Sequence, residues 1–216
     1  MNLRQLIKFL FWRDTTHNGE FAIFRRLITP NFPQVVVDVG ANDGFKGSNA
    51  YPFVARGWRA VLIEPHPVVF DRLQRRFACD PKVTCLHLAC SDMVGELPLY
   101  LGTDGDAPSL STLCADDNPE FRRGRPMDKM IMVKVDTLSN VLATLQIPCD
   151  IGLLTVDAEG MDYEVLRGLD FSRWWPRIII TEDYAPKEAQ KADWLAKNGY
   201  HLHARVYGNT IWTPAN

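Results

Sequence analysis

Several features are missing from this sequence, and each absence excludes a class. Its five cysteines (Cys79, Cys85, Cys90, Cys114 and Cys149) are odd in number and form no C-x-x-C pair. That excludes a disulfide framework and a thiolate zinc site, and makes reduced thiols in a cytoplasmic protein the expectation. The five histidines form no HExxH pattern. No apolar run approaches the ~18 residues of a membrane span. Positive charge is not in surplus: Lys+Arg is 24 against Asp+Glu 26, a formal net charge of -2. A protein built mainly to neutralise nucleic-acid phosphates is thereby disfavoured, and Arg122, Arg123 and Arg125 form only a local basic cluster. There are no internal repeats and no sign of a second core. What remains is 216 residues, 46% of them hydrophobic, enough for one domain that folds without covalent staples.

The first residues do not read as a signal peptide. Lys8 interrupts the apolar run, and no small-residue cleavage site follows. Leu3, Leu6, Ile7 and Leu10 have helical spacing instead. Residues 1–33 are therefore expected to form an N-terminal helical extension. It would pack as a cap on the domain or touch a membrane surface or a partner.

From Gln34 onward, β-branched runs alternate with helical patterns, the mark of a parallel sheet with crossover helices. Strands are expected at 35–39, 60–63, 83–88, 97–101, 130–135, 151–157 and 177–181. A hairpin is expected at 200–212, around Gly208-Asn209. Helices are expected from about Tyr51, with its end marked by Gly57, from Pro67 to Phe77, from Thr137 to about Leu145, from Met161 to Leu169 and from Pro186 to Lys197. Residues 102–128 lack periodicity and suit a lid or binding loop.

In an open α/β sheet, ligands sit beyond the carboxyl ends of the strands. Acids gather there: Asp38, Glu64, Asp92, Asp157, Glu159, Glu182 and Asp183. The first loop decides what they bind. A dinucleotide fingerprint needs G-x-G-x-x-G, whereas here the glycines are Gly40, Gly44 and Gly47, with Asn42 in the second place. Asp38, just ahead, would repel a phosphate and suits a cationic ligand. Glu64 follows twenty residues after Gly44, and a carboxylate there suits a ribose diol. A ribose with a positive centre and no phosphate describes S-adenosyl-L-methionine.

The run Asp38-Val-Gly40-Ala41-Asn42-Asp43-Gly44, then Ser48-Asn49, then Gly57-Trp58-Arg59-Ala-Val-Leu-Ile-Glu64-Pro65-His66-Pro67 resembles the FkbM family of S-adenosylmethionine-dependent methyltransferases. Val135-Asp136-Thr137-Leu138, Asp157-Ala-Glu159-Gly160, Glu164-Val165-Leu166-Arg-Gly168 and Asn209-Thr-Ile-Trp212 extend the likeness from about Gln34 to Trp212. The resemblance implies a class I methyltransferase fold over residues 34–216. That fold is a Rossmann-like three-layer α/β sandwich whose seven-stranded sheet is mostly parallel, with an antiparallel C-terminal strand. It also implies O-methylation of a sugar, glycan or other small natural product.

The expected roles follow. Asp38 and the loop from Gly40 through Ala41, Asn42 and Asp43 to Gly44, with Ser48 and Asn49, hold the methionine end. Glu64, with Pro65 and His66, takes the ribose. Ala89, Cys90, Ser91 and Asp92 face the adenine. Asp157 and Glu159 flank the methyl group, one as base. Asp157, Glu182 and Asp183 could jointly hold Mg2+; alternatively the pair Glu182-Asp183 binds acceptor hydroxyls or supports Asp157. The partner is a small molecule or glycan, not a nucleic acid. The rival reading is a non-catalytic binding module that keeps this fold.

Overall fold

The structure is a computed structural model that describes residues 14–16, 18–101, 111–113, 129–183 and 187–215. The expected helix over Leu3 to Leu10, Cys114 and the arginines at 122, 123 and 125 lie outside the described residues.

Ten strands and six helices are labelled here in chain order. The strands are β1 (Val35–Val39), β2 (Arg59–Ile63), β3 (Val83–Leu86), β4 (Ala89–Ser91), β5 (Gly95–Leu101), β6 (Lys129–Thr137), β7 (Asp150–Val156), β8 (Trp175–Glu182), β9 (Tyr200–Val206) and β10 (Asn209–Pro214). The helices are α1 (Phe21–Leu27), α2 (Tyr51–Val54), α3 (Pro67–Phe77), α4 (Leu138–Thr144), α5 (Asp162–Arg167) and α6 (Glu188–Lys197).

The main sheet has seven strands in the order β3-β2-β1-β7-β8-β10-β9. The pairs β3–β2, β2–β1, β1–β7 and β7–β8 are parallel, while β10 runs antiparallel to both β8 and β9. This is the expected sheet, antiparallel C-terminal strand included. All five residues of β1 are buried, as a central strand covered on both faces requires. Its side chains alternate between two cores. Val35, Val37 and Val39 meet α4, α5 and α6 through Leu138, Leu142, Val165, Leu166 and Leu195. Val36 meets α1, α2 and α3 through Phe24, Phe53, Leu73 and Phe77. The sandwich therefore has three layers.

Three local expectations are corrected. The helix expected to end at Gly57 is a single turn ending at Val54, and Gly57 takes left-handed backbone, φ 81. The strand read as 83–88 ends at Leu86, and β4 leaves to form a separate sheet in the order β4-β6-β5. That sheet has a small core of its own around Ala89, Leu99, Val133 and Val135, so the single-core expectation was incomplete. Helix α1 falls within the 1–33 stretch expected to be helical, although the spacing read there was at Leu3 to Leu10. It docks through Phe21 and Phe24 onto Phe53, with ring centroids 5.8 Å apart in each case.

Candidate active site

The carboxyl ends of β1, β2, β7 and β8 open into one cavity of about 610 Å3. That lies within the ~300–1,000 Å3 range of small-molecule sites. The cavity sits where the sheet order passes from β1 to β7, the switch point at which such sheets bind ligands. The loops after these two strands touch. The Asp157 N–H donates to the Val39 carbonyl at 2.9 Å, and a Cβ at Gly40 would overlap the Asp157 carbonyl. Gly40 also has φ 82, so the position suits only glycine.

Most of the expected cofactor residues gather here. Gly40, Asn42, Asp43 and Asn49 line the cavity from the first loop, Glu64 and Pro65 from the second, and Ala89 and Cys90 from β4. Glu64 is buried, and its geometry is fixed: one oxygen accepts the Asn42 N–H at 3.0 Å, the other the His66 N–H at 2.8 Å. A carboxylate has about four acceptor positions, so two remain for a vicinal diol.

Other expected residues do not line the cavity. Ala41 packs in the core. Gly44 lies under the Leu73 and Phe77 side chains. The Ser48 hydroxyl accepts the Ala50 and Tyr51 N–H groups at the start of α2. The His66 ring nitrogen Nδ1 caps α3, accepting from Val68 at 3.2 Å and Val69 at 3.4 Å. Ser91 is buried and Asp92 pairs with Arg167 at 3.3 Å, so the β4 wall is the apolar set Leu88, Ala89, Cys90 and Leu99. Asp38 is buried within β1 and does not line the cavity.

Opposite Glu64, Asp157, Glu159 and Glu182 each bring one carboxylate oxygen within 4.8 Å of the others. Asp183 does not join them. Its carboxylate pairs with Arg205, so the expected trio of Asp157, Glu182 and Asp183 is corrected to Asp157, Glu159 and Glu182. Glu159 stands on left-handed backbone, φ 51, an uncommon conformation for a residue with a Cβ. Its carbonyl accepts the Thr112 hydroxyl at 2.7 Å.

The acids raise one another's pKa values. Burial first, then the Asp157 charge, pushes Glu159 up to about 10 and Glu182 up to about 8. Glu182 and Asp157 share a hydrogen bond. Burial and the charges of Asp157 and Glu64 push Asp38 up to about 8. Burial pushes Glu64 up to about 7 against the lowering effect of its two backbone donors. A cavity so rich in carboxylate favours a cation.

Sequence reasoning missed Asp162 and Lys191. Asp162 is buried, and its two oxygens accept the Ala158 N–H at 2.8 Å and the Glu182 N–H at 3.0 Å. It thereby ties the ends of β7 and β8 together. Lys191 lies buried behind it and donates to the Glu182 carbonyl. Asp162 stands five residues after Asp157, in the first turn of α5, where an acid also reads as an ordinary helix-start residue. Nothing local marks Lys191, since its role depends on how α6 packs.

The sheet order, the antiparallel last strand and the acid-lined switch point together define a class I, Rossmann-like methyltransferase fold. The METTL16 MTase domain shares this fold with a TM-score of 0.50 at 10% identity, over 90% of this chain and 66% of that one. The precorrin-6y C5,15-methyltransferase of Geobacter metallireducens GS-15 aligns with a TM-score of 0.49 at 10% identity, over 90% and 86%. Residues 38–207 match the methyltransferase FkbM domain, and the chain belongs to that family. A curated relative, methyltransferase sdnD of Sordaria araneosa, is 31% identical over 178 residues, covering 70% of this chain and 66% of the relative. The chain therefore spans just under two thirds of that protein's length.

Proposed function

We propose that this protein transfers a methyl group from S-adenosylmethionine to a hydroxyl of a sugar, glycan or other small molecule. The observation that carries the reading is the pairing, in one cavity, of Glu64 held by two backbone donors with the carboxylate group around Asp157. The residues present fit the cofactor. Glu64 offers two free acceptor positions to a ribose, the β4 wall is apolar as an adenine face requires, and the surplus of carboxylate suits a cation. When bound, S-adenosylmethionine supplies a methyl carbon already activated on a sulfonium.

This chain's residues then have three tasks. The loops after β1 and β2 fix the donor. The walls at Asp157 and Glu182 hold the acceptor oxygen in line with it, and alignment alone can supply several kcal/mol of the barrier. Asp157 takes the hydroxyl proton as the oxygen–carbon bond forms, and a neutral thioether leaves. Glu182, protonated and hydrogen-bonded to Asp157, orients the base. We read this acid group, in which Glu182 and Asp157 share a hydrogen bond, as a proton-sharing cluster rather than a Mg2+ site.

Transfer of labelled methyl from S-adenosylmethionine to a panel of hydroxyl acceptors, with and without EDTA, tests this. The expected result is labelling at an oxygen, with the rate in EDTA within about twofold of the untreated rate, the range that a change of under 0.5 kcal/mol produces. Loss of activity in chelator, restored by Mg2+, would overturn the metal-free mechanism. Labelling at nitrogen or carbon would overturn the hydroxyl acceptor.

A further inference from the structure

We infer that Lys191 of α6 is a positioning residue for methyl transfer: with Asp162 of α5 it holds both backbone polar groups of Glu182 and so sets the aim of the Glu182–Asp157 pair. Neither Lys191 nor Asp162 lines the cavity. The inference rests on the methyl-transfer reading and adds to it a brace built by two helices behind the acid wall.

The need for a brace comes from the strands. β7 and β8 stay in parallel register as far as Val156 beside Thr181. β7 then turns away, and the Asp157 N–H donates to Val39 of β1. β8 runs on for one residue, Glu182. The Asp183 N–H donates to the Gly208 carbonyl, on the β10 side. Backbone groups alternate along an extended strand, so the Glu182 N–H and carbonyl face the side that β7 has left. Buried backbone groups without a strand partner need another one. Asp162 accepts the Glu182 N–H at 3.0 Å with one oxygen and the Ala158 N–H at 2.8 Å with the other. Lys191 donates from Nζ to the Glu182 carbonyl.

A carbonyl alone does not require a cation, and a buried ammonium is costly unless charges of opposite sign surround it. Lys191 is 3% exposed, the one buried lysine or arginine among the described residues. Lys46 and Arg72 line the cavity but are exposed, on the loop after β1 and on α3. Lys187, in the same small notch as Lys191, is partly exposed and pairs with Glu164. The acids account for the ammonium. Asp157, Glu159 and Glu182 crowd together in front, and Asp162 stands behind them. The Lys191 charge lowers the pKa values of Asp162 and Glu182 against the burial that raises them. A fixed cation behind the group therefore eases its internal repulsion and anchors the end of β8 at once. Without it, Glu182 loses a backbone tie just where repulsion grows. A shift of ~1 Å in the reacting geometry can cost about a hundredfold in rate. Glu64 is held separately by the Asn42 and His66 N–H groups, so donor binding does not depend on Lys191.

The test uses the full chain, methyl-labelled S-adenosylmethionine and the hydroxyl acceptor that the wild type labels fastest. Single-turnover rates at saturating donor and acceptor report the folded chain alone. Lys191→Met is expected to lower this rate at least about tenfold, while the Kd for S-adenosylmethionine by calorimetry stays within about twofold. Lys191→Arg keeps a cationic donor and is expected to recover most of the rate. Asp162→Asn keeps one accepting oxygen, loses the other, and is expected to slow transfer in the same way. Lys187→Ala removes a cation from the same notch without touching Glu182, and its rate is expected to stay within about twofold of wild type. Lys191→Gln leaves the Glu182 carbonyl a neutral donor; its rate is expected between those of the Met and Arg variants, and it carries the comparison should Lys191→Met unfold. A wild-type rate in Lys191→Met or Lys191→Gln, an equal loss in Lys187→Ala, or a loss of donor affinity that matches the loss of rate would each overturn the positioning role. A wild-type chain that labels no hydroxyl acceptor would instead overturn the methyl-transfer reading, and this inference with it.

Discussion

At the residue scale, the site is a problem of carboxylates crowded together with few cations nearby. Asp157 is the charge that its neighbours feel: it raises Asp38, Glu64, Glu159, Asp162 and Glu182. Replacing it by Asn keeps the shape and removes the proposed base. Asp157→Asn is expected to lower kcat by roughly 10^2–10^4-fold with little change in donor affinity, as measured by single-turnover methyl transfer. Wild-type turnover in that variant would show that another group takes the proton. The gathering of these acids was legible in the sequence, because acids at the ends of parallel strands converge at the switch point. What a linear reading could not give is which way each acid faces. Glu182 and Asp183 are neighbours on an extended chain, so they point to opposite sides. One joins Asp157 and the other pairs with Arg205. In the same way, His66 looked like a ligand contact and is a helix cap.

At the element scale, the site depends on how strand ends are tied. The parallel register of β1 with β7 places Val39 beside Val156, so the loops that follow leave side by side. Asp162, at the start of α5, then fastens the β7 loop to β8 through two backbone N–H groups. Asp162→Ala would strand both donors. A loss of about 1–3 kcal/mol for each stranded donor is expected. Urea unfolding would measure it, and a loss below about 1 kcal/mol would show that the tie is incidental. The strands were legible because period and β-branching are local signals. Helix α2 was read a few residues too long, since the pattern at Tyr51, Val54 and Ala55 fits a helix up to the stop at Gly57, while the chain leaves helical hydrogen bonding after Val54. Within the helical extension expected over 1–33, the bounds of α1 were not read, because its few apolar residues gain meaning only from the Phe53 ring they cover.

At the scale of the whole molecule, the near-neutral charge conceals a strong internal asymmetry: acids collect at one end of the sheet. This has a consequence for pH. Asp38, Glu64, Asp162 and Glu182 have folded-state values near 7–8 against ordinary values near 4. The folded chain holds these protons more tightly than the unfolded chain. Their contribution is therefore fully present below about pH 4 and is lost as pH rises through about 7–8. The urea midpoint of the ligand-free protein is expected to fall between pH 5 and 8.5, and a midpoint that rises over this window would contradict the charge picture. A bound cation reverses the trend, so S-adenosylmethionine should stabilise the protein more at pH 8.5 than at pH 5. The described residues contain no helix long and apolar enough to cross a membrane. The most direct test is titration calorimetry of S-adenosylmethionine and its demethylated product into the wild-type chain and into Glu64→Gln. One-to-one binding of both is expected for wild type, weakened about 10–100-fold in the variant, as loss of hydrogen bonds to a charged group implies. Absence of binding to wild type, or equal binding to both chains, would contradict the assignment of this cavity.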